Sequence, residues 1–177
     1  MKHIIAFAGS NSKKSINKQL VSYTVDLLQN VTTEVLDLND FEVPLFSVDL
    51  EKSMQGQPDN AHRLLNKIKD ADGIIISLAE HNGAYSAAFK NIFDWMSRIE
   101  AKTFFGKPML LMATSPGGRG GQSVLAMAED RFPRHDANIV GVFSLPQFVE
   151  HFSEGKINNE TLNEQLLVQV GKFQKAL

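Results

Sequence analysis

The sequence predicts an α/β protein built on a doubly wound parallel sheet. Short apolar runs alternate with amphipathic segments along the 177 residues, as expected where each buried strand is followed by a helix. The run at 73–79 is almost continuously apolar, which is typical of a parallel strand covered on both faces. Three of the runs end in small, polar or glycine-rich segments. In an open α/β sheet, such segments surround the ligand at the carboxyl ends of the strands.

The five strands are predicted from the apolar runs, taken in chain order. The first run stops at Gly9, the second is short, the third is the most apolar, and the fourth opens after Pro108. The strands are expected at 3–8, 33–38, 73–79, 109–114 and 138–143. Their alternation with helices predicts one parallel sheet with helices on both faces.

The five helices are predicted from apolar residues that recur at a spacing of three to four. The clearest case carries Phe89, Phe93 and Met96 on one side. The helices are expected at 15–29, 59–70, 86–99, 122–132 and 160–176. The segment 40–58 is predicted to be a loop, because proline and glycine recur in it. The sequence has no repeat, low-complexity tract or linker, so a single domain is expected over residues 1–177.

The composition limits the possible functions. Hydrophobic residues make up 43% of the chain, which is enough for a packed core. The net charge of −2 argues against a nucleic-acid binder, whose affinity rests on clustered lysine and arginine. The absence of cysteine excludes disulfides, thiolate catalysis and cysteine-ligated metal sites. Neither a signal peptide nor a membrane span of roughly 20 apolar residues is apparent, so a cytoplasmic protein that contacts no membrane is expected.

The segment 6–17 predicts a phosphate site. A buried strand stops at Gly9, a polar loop follows, and an apolar-periodic helix begins near Ile16. The first turn of a helix leaves N–H groups unpaired at the positive end of its dipole, where an anion binds. Walker A and dinucleotide-binding glycine patterns are absent, which favours a phosphate monoester. The alternative is that Ser15 only caps the helix while the neighbouring lysines are solvated. The expected phosphate donors are Ser10, Ser12, Ser15 and Asn17.

The segment from Glu80 to Tyr85 follows the most apolar strand. Its Asn-Gly pair favours a tight turn, whose exposed backbone amides can line a planar ligand. His81 is suited to stacking on an aromatic ring or to titrating near neutral pH. The alternative is a plain turn before the helix, with His81 on the surface.

The third segment, 115–121, has four glycines in five positions. Glycine loses more backbone entropy on folding than other residues, so a ligand that needs close backbone approach would explain the cluster. The alternative is a flexible surface loop, and Arg119 suits an anion and solvent equally.

No other catalytic constellation assembles. The five histidines show no metal-ligand spacing, and no Gly-x-Ser-x-Gly elbow marks a hydrolase nucleophile. Glu80 and Asp94 remain as a candidate base or as buried carboxylates. For Asp94, which lies in mid-helix beside Trp95, a structural hydrogen bond is favoured.

Several segments together resemble the NAD(P)H-dependent FMN reductases. Residues 9–17 (GSNSKKSIN) are similar to the family's G-S-x-R-x-x-S-x-N loop. Residues 79–83 (AEHNG) and 89–95 (FKNIFDW) resemble its P-E-Y-N-x and L-K-N-x-x-D-W patterns, and 115–118 (SPGG) its glycine-rich flavin loop. The resemblance extends over nearly the whole chain, and the first loop with the K-N-x-x-D-W segment is its most specific part.

The resemblance implies a flavodoxin-like fold with strand order 2-1-3-4-5, FMN as cofactor, and NADH or NADPH as co-substrate. The flavin would pass electrons to a small-molecule acceptor such as a flavin, a quinone, an azo dye or a metal oxyanion, without a dedicated catalytic side chain. A homodimer or homotetramer is also implied. The implied cofactor-binding residues are Ser10, Ser12, Ser15, Ile16 and Asn17 at the phosphate, Ala79, Glu80, His81, Asn82 and Gly83 along the ring and ribityl chain, and Ser115, Pro116, Gly117 and Gly118 on the other side of the ring.

Three positions depart from the family pattern. Ser12 stands where the family has arginine, which removes a charge-assisted hydrogen bond of about 1.5–3 kcal/mol unless a neighbouring lysine compensates. Ala79 replaces a proline and loosens the strand end, and His81 replaces a tyrosine and introduces a pH-sensitive ring.

Two other functions stay open at this point. The first is a flavodoxin-like electron carrier without NAD(P)H oxidase activity. The net charge argues against it, because such carriers tend to be strongly acidic. The second is a phosphate-binding relative whose altered loop no longer holds FMN.

Overall fold

The main sheet has five parallel strands. A computed structural model describes all residues, Met1–Leu177. The spatial order of the strands is β2-β1-β3-β4-β5, which confirms the predicted order and places the reversal of strand order between β1 and β3. The strands are β1 (Lys2–Gly9), β2 (Val31–Leu36), β3 (Gly73–Leu78), β4 (Pro108–Thr114) and β5 (Asn138–Leu145).

Helices cover both faces of this sheet. Alternate strand residues divide the buried side chains into two clusters, because successive residues of a strand point to opposite faces. Ile5 and Ile74 belong to the larger cluster with α3, α4 and α5, whereas Ile4 and Ile75 belong to the smaller one with α1 and α7. The helices are α1 (Ile16–Asp26), α2 (Val48–Met54), α3 (Asp59–Asp70), α4 (Ala87–Ile99), α5 (Gln122–Arg131), α6 (Phe148–His151) and α7 (Glu160–Ala176). None of the seven has the length and apolar character needed to cross a membrane.

The predicted loop at 40–58 is wrong in one part, because it contains helix α2. Ser47 starts this helix, and its hydroxyl accepts a hydrogen bond of 3.1 Å from the N–H of Leu50. Gln55 ends it in a left-handed conformation with a φ of 56°. No residue of α2 is fully buried, so the helix has no apolar stripe from which the sequence could have predicted it.

The predicted second strand, 33–38, lies two residues too far along the chain. The strand β2 ends at Leu36 because Asp37 starts a 3-10 helix, Leu38–Phe41. The Asp37 carboxylate accepts a 2.9 Å hydrogen bond from the N–H of Asn39 and so turns the chain. An aspartate side chain that bonds to the backbone two residues on is a common way to initiate a turn.

Two short antiparallel hairpins lie outside the main sheet. One pairs Glu80–His81 with Ala84–Tyr85 after β3, and the other pairs Phe152–Ser153 with Lys156–Ile157 before α7. The first hairpin is the tight turn that the Asn-Gly pair predicts.

Candidate functional site

Three loops meet in one cleft at the carboxyl edge of the sheet. They follow β1, β3 and β4, which are adjacent strands, so their carboxyl ends lie side by side. The cleft has a volume of about 270 Å³. It is lined by Ser10, Ser12, Lys14, Ser15, Ile16, Asn17, Ala79, Glu80, His81, Thr114, Ser115 and Pro116. The four remaining predicted residues, Asn82, Gly83, Gly117 and Gly118, are exposed just beyond this lining.

The first loop presents unpaired N–H groups to the cleft. Ser15 caps α1, since its hydroxyl oxygen accepts a 3.1 Å hydrogen bond from the N–H of Lys18. Ser10 accepts one of 3.1 Å from the N–H of Ser12 and thereby holds the loop in shape. The backbone N–H groups of Lys14, Ile16 and Asn17 meet no acceptor within the chain. The first turn of α1 has no acidic residue, so its dipole is uncompensated and favours an anion.

The side chain of Asn17 forms hydrogen bonds within the chain and is therefore not available to a ligand. Its oxygen accepts hydrogen bonds from the N–H of Thr114, at 3.0 Å, and from the hydroxyl of Ser77, at 2.7 Å. Its amide nitrogen donates to the Thr114 carbonyl at 3.2 Å. Asn17 thus fixes the start of α1 to the ends of β3 and β4, and its backbone N–H remains for an anion. Thr114, which sequence reasoning missed, is found only through this contact.

The hairpin after β3 is a two-residue turn with positive φ at both central residues. Asn82 has a φ of 52° and Gly83 a φ of 76°. This is the geometry of a type I′ turn, for which Asn-Gly is the favoured pair. His81 is exposed at the edge of the cleft, next to this tip.

Tyr85 fixes the base of that hairpin in the core. Its ring lies parallel to Phe132, with the ring centroids 6.0 Å apart, and contacts Phe89 at 5.5 Å. Its hydroxyl is buried without a hydrogen-bond partner. Burial raises the pKa of Tyr85 to about 12, so the phenol stays neutral and serves as an apolar anchor.

Glu80 links the second loop to the third. Its carboxylate accepts a 2.9 Å hydrogen bond from the N–H of Val124, in the first turn of α5. The residue at the N-cap of α5, Gly121, has no side chain that could do this. A negative charge at a helix N-terminus is favourable, so Glu80 replaces the missing cap and holds the hairpin against α5.

The four glycines of the third loop fall into two pairs. A Cβ atom on Gly120 would collide with the Ser144 hydroxyl, and one on Gly121 would lie 2.7 Å from the Cβ of Ala113. Both residues also have a positive φ, of 56° and 78°. Gly117 and Gly118 meet nothing within 4 Å and have no positive φ. Packing therefore requires only the second pair, and the first pair keeps a stretch of backbone accessible.

Two candidate charged groups lie away from this cleft. Asp94 accepts two hydrogen bonds from Lys90 one turn earlier on α4, at 2.7 and 2.8 Å. Arg119 donates to the hydroxyl of Ser123 at 3.1 Å. Neither lines the cleft.

The K-N-x-x-D-W segment holds the chain between β2 and α2. Asn91 accepts a 2.8 Å hydrogen bond from the N–H of Phe46 and donates to the Pro44 carbonyl at 3.0 Å. Trp95 donates to the same carbonyl at 2.7 Å, and its ring meets that of Phe46 edge to face at 5.0 Å. The motif thus anchors the neighbouring loop from within helix α4.

Comparison with known proteins agrees with this arrangement. A family model described as NADPH-dependent FMN reductase matches residues 2–150. A quinone reductase from Escherichia coli is 27% identical over 159 residues, which cover 89% of this chain and 82% of that protein. An NADPH azoreductase from a Bacillus species is 29% identical over 122 residues, 69% of this chain and 64% of that protein.

The fold has solved counterparts as well. The structure of FerB, a flavoenzyme NAD(P)H:(acceptor) oxidoreductase from Paracoccus denitrificans, superposes with a TM-score of 0.75 at 23% sequence identity, with 99% of each chain covered. At that identity the superposition shows a shared flavodoxin-like architecture. Together with the family model that matches most of the sequence, it shows that this chain belongs to the NADPH-dependent FMN reductase family.

Proposed function

We propose that this protein uses FMN to transfer reducing equivalents from NADH or NADPH to a small-molecule acceptor such as a quinone, an azo compound or a flavin. The observation that carries the proposal is the cleft, which the first loop with its unpaired N–H groups lines together with residues of the hairpin and of the glycine loop. Family membership supports the same chemistry.

The residues of the cleft fit FMN. A phosphate monoester offers several acceptor oxygens, and the N–H groups of Lys14, Ile16 and Asn17 with the hydroxyls of Ser10, Ser12 and Ser15 are donors for them. The cleft volume of about 270 Å³ lies just below the range of ligand pockets, roughly 300–1,000 Å³, so we assign it only the phosphate end of the cofactor. The exposed backbone at 81–83 and 116–118 remains for the planar ring.

The chain's own residues bind and orient, while the cofactor supplies the redox chemistry. FMN, when bound, would supply the hydride-accepting and electron-donating chemistry that connects NAD(P)H with the second substrate. We propose that backbone N–H groups of the hairpin and of the glycine loop stabilise negative charge at the ring edge. Glu80 connects these two loops through α5, and the apolar anchor Tyr85 packs the base of the hairpin against Phe132. No side chain of the cleft is required as a general acid or base.

Two lysines in the first loop are candidates to replace the arginine that the family has at the position of Ser12. Lys13 and Lys14 are exposed and form no ion pair within the chain, whereas the ammonium of Lys18 is paired with Asp37. Lys14 lines the cleft itself. We propose that Lys14 supplies the positive charge that arginine supplies elsewhere in the family.

An assay of the purified protein with FMN tests the proposal. The expected result is a shifted visible spectrum of FMN on binding, and oxidation of NADH or NADPH that depends on both FMN and an added quinone. An electron carrier would bind FMN without being reduced by NADH or NADPH alone. Absence of binding, together with absence of NAD(P)H oxidation, would contradict the proposed function.

The family resemblance also supports proposals on the assembly, the cellular location and the domain organisation of the protein. We propose a homodimer or homotetramer, located in the cytoplasm, in which residues 1–177 form one FMN-binding domain. Light scattering on a sizing column measures the mass of the assembly, and a monomer at assay concentration would contradict the first of these.

A further inference from the structure

A second cavity adjoins the candidate cleft on the outer side of helix α1. Its volume is about 450 Å³, which is within the range of small-molecule pockets, roughly 300–1,000 Å³. We call it the outer groove; it is lined by Lys13, Lys14, Ser15, Lys18, Gln19, Ser22, Tyr23, Asp26, Phe152 and Gly155. Lys14 and Ser15 line both cavities, so the outer groove begins where the cleft is proposed to hold a phosphate.

The junction between the two cavities carries uncompensated positive charge. Lys13 and Lys14 are exposed and have no carboxylate partner. Lys18, in contrast, is paired with the carboxylate of Asp37. Partial burial works to raise the pKa of Asp37, but hydrogen bonds from Lys18 and Asn39 outweigh it and lower the pKa below its ordinary value. Two free ammonium groups therefore remain beside the phosphate loop. This charge suits a second phosphate that directly follows the first.

The far end of the outer groove suits a nucleoside. Gln19, Ser22 and Asp26 lie on successive turns of the exposed side of α1 and offer an amide, a hydroxyl and a carboxylate. These groups can hydrogen-bond ribose hydroxyls and the amino group of a base. The lining also has an aromatic part, because Tyr23 of the same helix meets Phe152 edge to face with the ring centroids 6.0 Å apart.

We infer that the outer groove takes the adenosine monophosphate half of FAD, so that this chain binds FAD as well as FMN. The inference rests on the proposed function, because it places the shared phosphate in the cleft. FAD is FMN extended at its phosphate, and the outer groove starts at that point. The first loop lacks the glycine pattern that holds a pyrophosphate in dinucleotide-binding folds, so Lys13 and Lys14 would hold the second phosphate instead. A pyridine nucleotide, by contrast, meets the flavin at its ring. Serine at position 12, in place of the family's arginine, leaves a short side chain beside this junction.

Calorimetric titration with FMN and with FAD tests the inference in the wild type and in Ser22→Trp. Ser22 is exposed on α1 and lines the outer groove but not the cleft, so an indole there fills the groove alone. The wild type is expected to bind FAD at least as tightly as FMN. Ser22→Trp is expected to weaken FAD binding at least tenfold and FMN binding less than twofold. The matched control Gln165→Trp, at an exposed position of α7, is expected to change neither.

A second variant tests the charge of the junction without adding bulk. Lys13 lines only the outer groove, so Lys13→Glu is expected to weaken FAD binding at least fivefold more than FMN binding. Retained FMN binding shows that either variant is folded. Wild-type protein that binds FMN but binds FAD tenfold more weakly overturns the inference, and so do variants that affect both flavins equally. Wild-type protein that binds neither flavin overturns the proposed function, and this inference with it.

Discussion

The two glycine pairs after strand β4 are separated by one residue, but packing constrains only the second pair. Gly120 and Gly121 are buried, have positive φ and leave no room for a Cβ atom. Gly117 and Gly118 are exposed and would meet nothing. The same residue type thus serves packing in one pair and accessibility in the other. Substitution should therefore separate stability from cofactor binding within five positions of the chain.

The largest effect is expected at the packed pair. Gly120→Ala brings a Cβ within 2.8 Å of the backbone nitrogen of Pro146 and within 3.0 Å of the Leu145 carbonyl carbon, in a left-handed conformation. Backbone strain and overpacking each cost about 1–3 kcal/mol, so the free energy of unfolding should fall by about 2–6 kcal/mol. Urea denaturation measures it. A change below about 0.5 kcal/mol would show that the packed pair is not structurally required.

Substitution of the exposed pair, Gly117 and Gly118, should affect FMN binding and not stability. Gly117→Val or Gly118→Val is expected to leave the free energy of unfolding within about 0.5 kcal/mol of the wild type, as for other unconstrained surface sites. The Kd for FMN should rise about tenfold, or about 1.4 kcal/mol, because the side chain stands where the ring is proposed to approach. The matched control is Gly56→Val, since Gly56 also meets nothing within 4 Å and lies outside the cleft. If the control and the loop variants weaken FMN equally, the distinction between the pairs fails.

Smaller effects are expected at two helix caps, where stability and FMN binding can also be separated. Ser15→Ala removes the cap of α1, and Asn159→Ala removes that of α7, where the side chain accepts a 3.0 Å hydrogen bond from the N–H of Leu162. Each loss should lower the free energy of unfolding by about 1 kcal/mol. Only Ser15→Ala should also raise the Kd for FMN, about threefold to tenfold, for one lost hydrogen bond. Equal FMN affinities in the two variants would restrict Ser15 to capping.

Most of the fold could be predicted because apolar periodicity sets it. The strand order and the two covered faces follow from the alternation of buried runs and helices, and the turn at Asn82-Gly83 from its residue types. Helix α2 could not be predicted, since none of its residues is fully buried. The end of β2 was misplaced because Asp37 turns the chain through its own side chain, which leaves no mark on the apolar pattern.

The sequence predicts which loops form the candidate cleft, but not the role of each side chain in it. The residue types of 9–17, 79–83 and 115–118 indicate a ligand, and the cleft brings residues of all three together. The sequence cannot say that Asn17 bonds to Ser77 and Thr114, or that Glu80 caps α5, because these partners lie 44 to 97 residues away. Such long-range hydrogen bonds depend on the sheet having formed.

The most direct test of the account compares FMN with riboflavin, which lacks the phosphate, in equilibrium titrations of the wild-type protein. If the N–H groups of Lys14, Ile16 and Asn17 hold the phosphate, at least two charge-assisted hydrogen bonds of about 1.5–3 kcal/mol each are lost with riboflavin. FMN is then predicted to bind at least about a hundredfold more tightly than riboflavin. Equal affinities for the two would contradict a phosphate site at the start of α1.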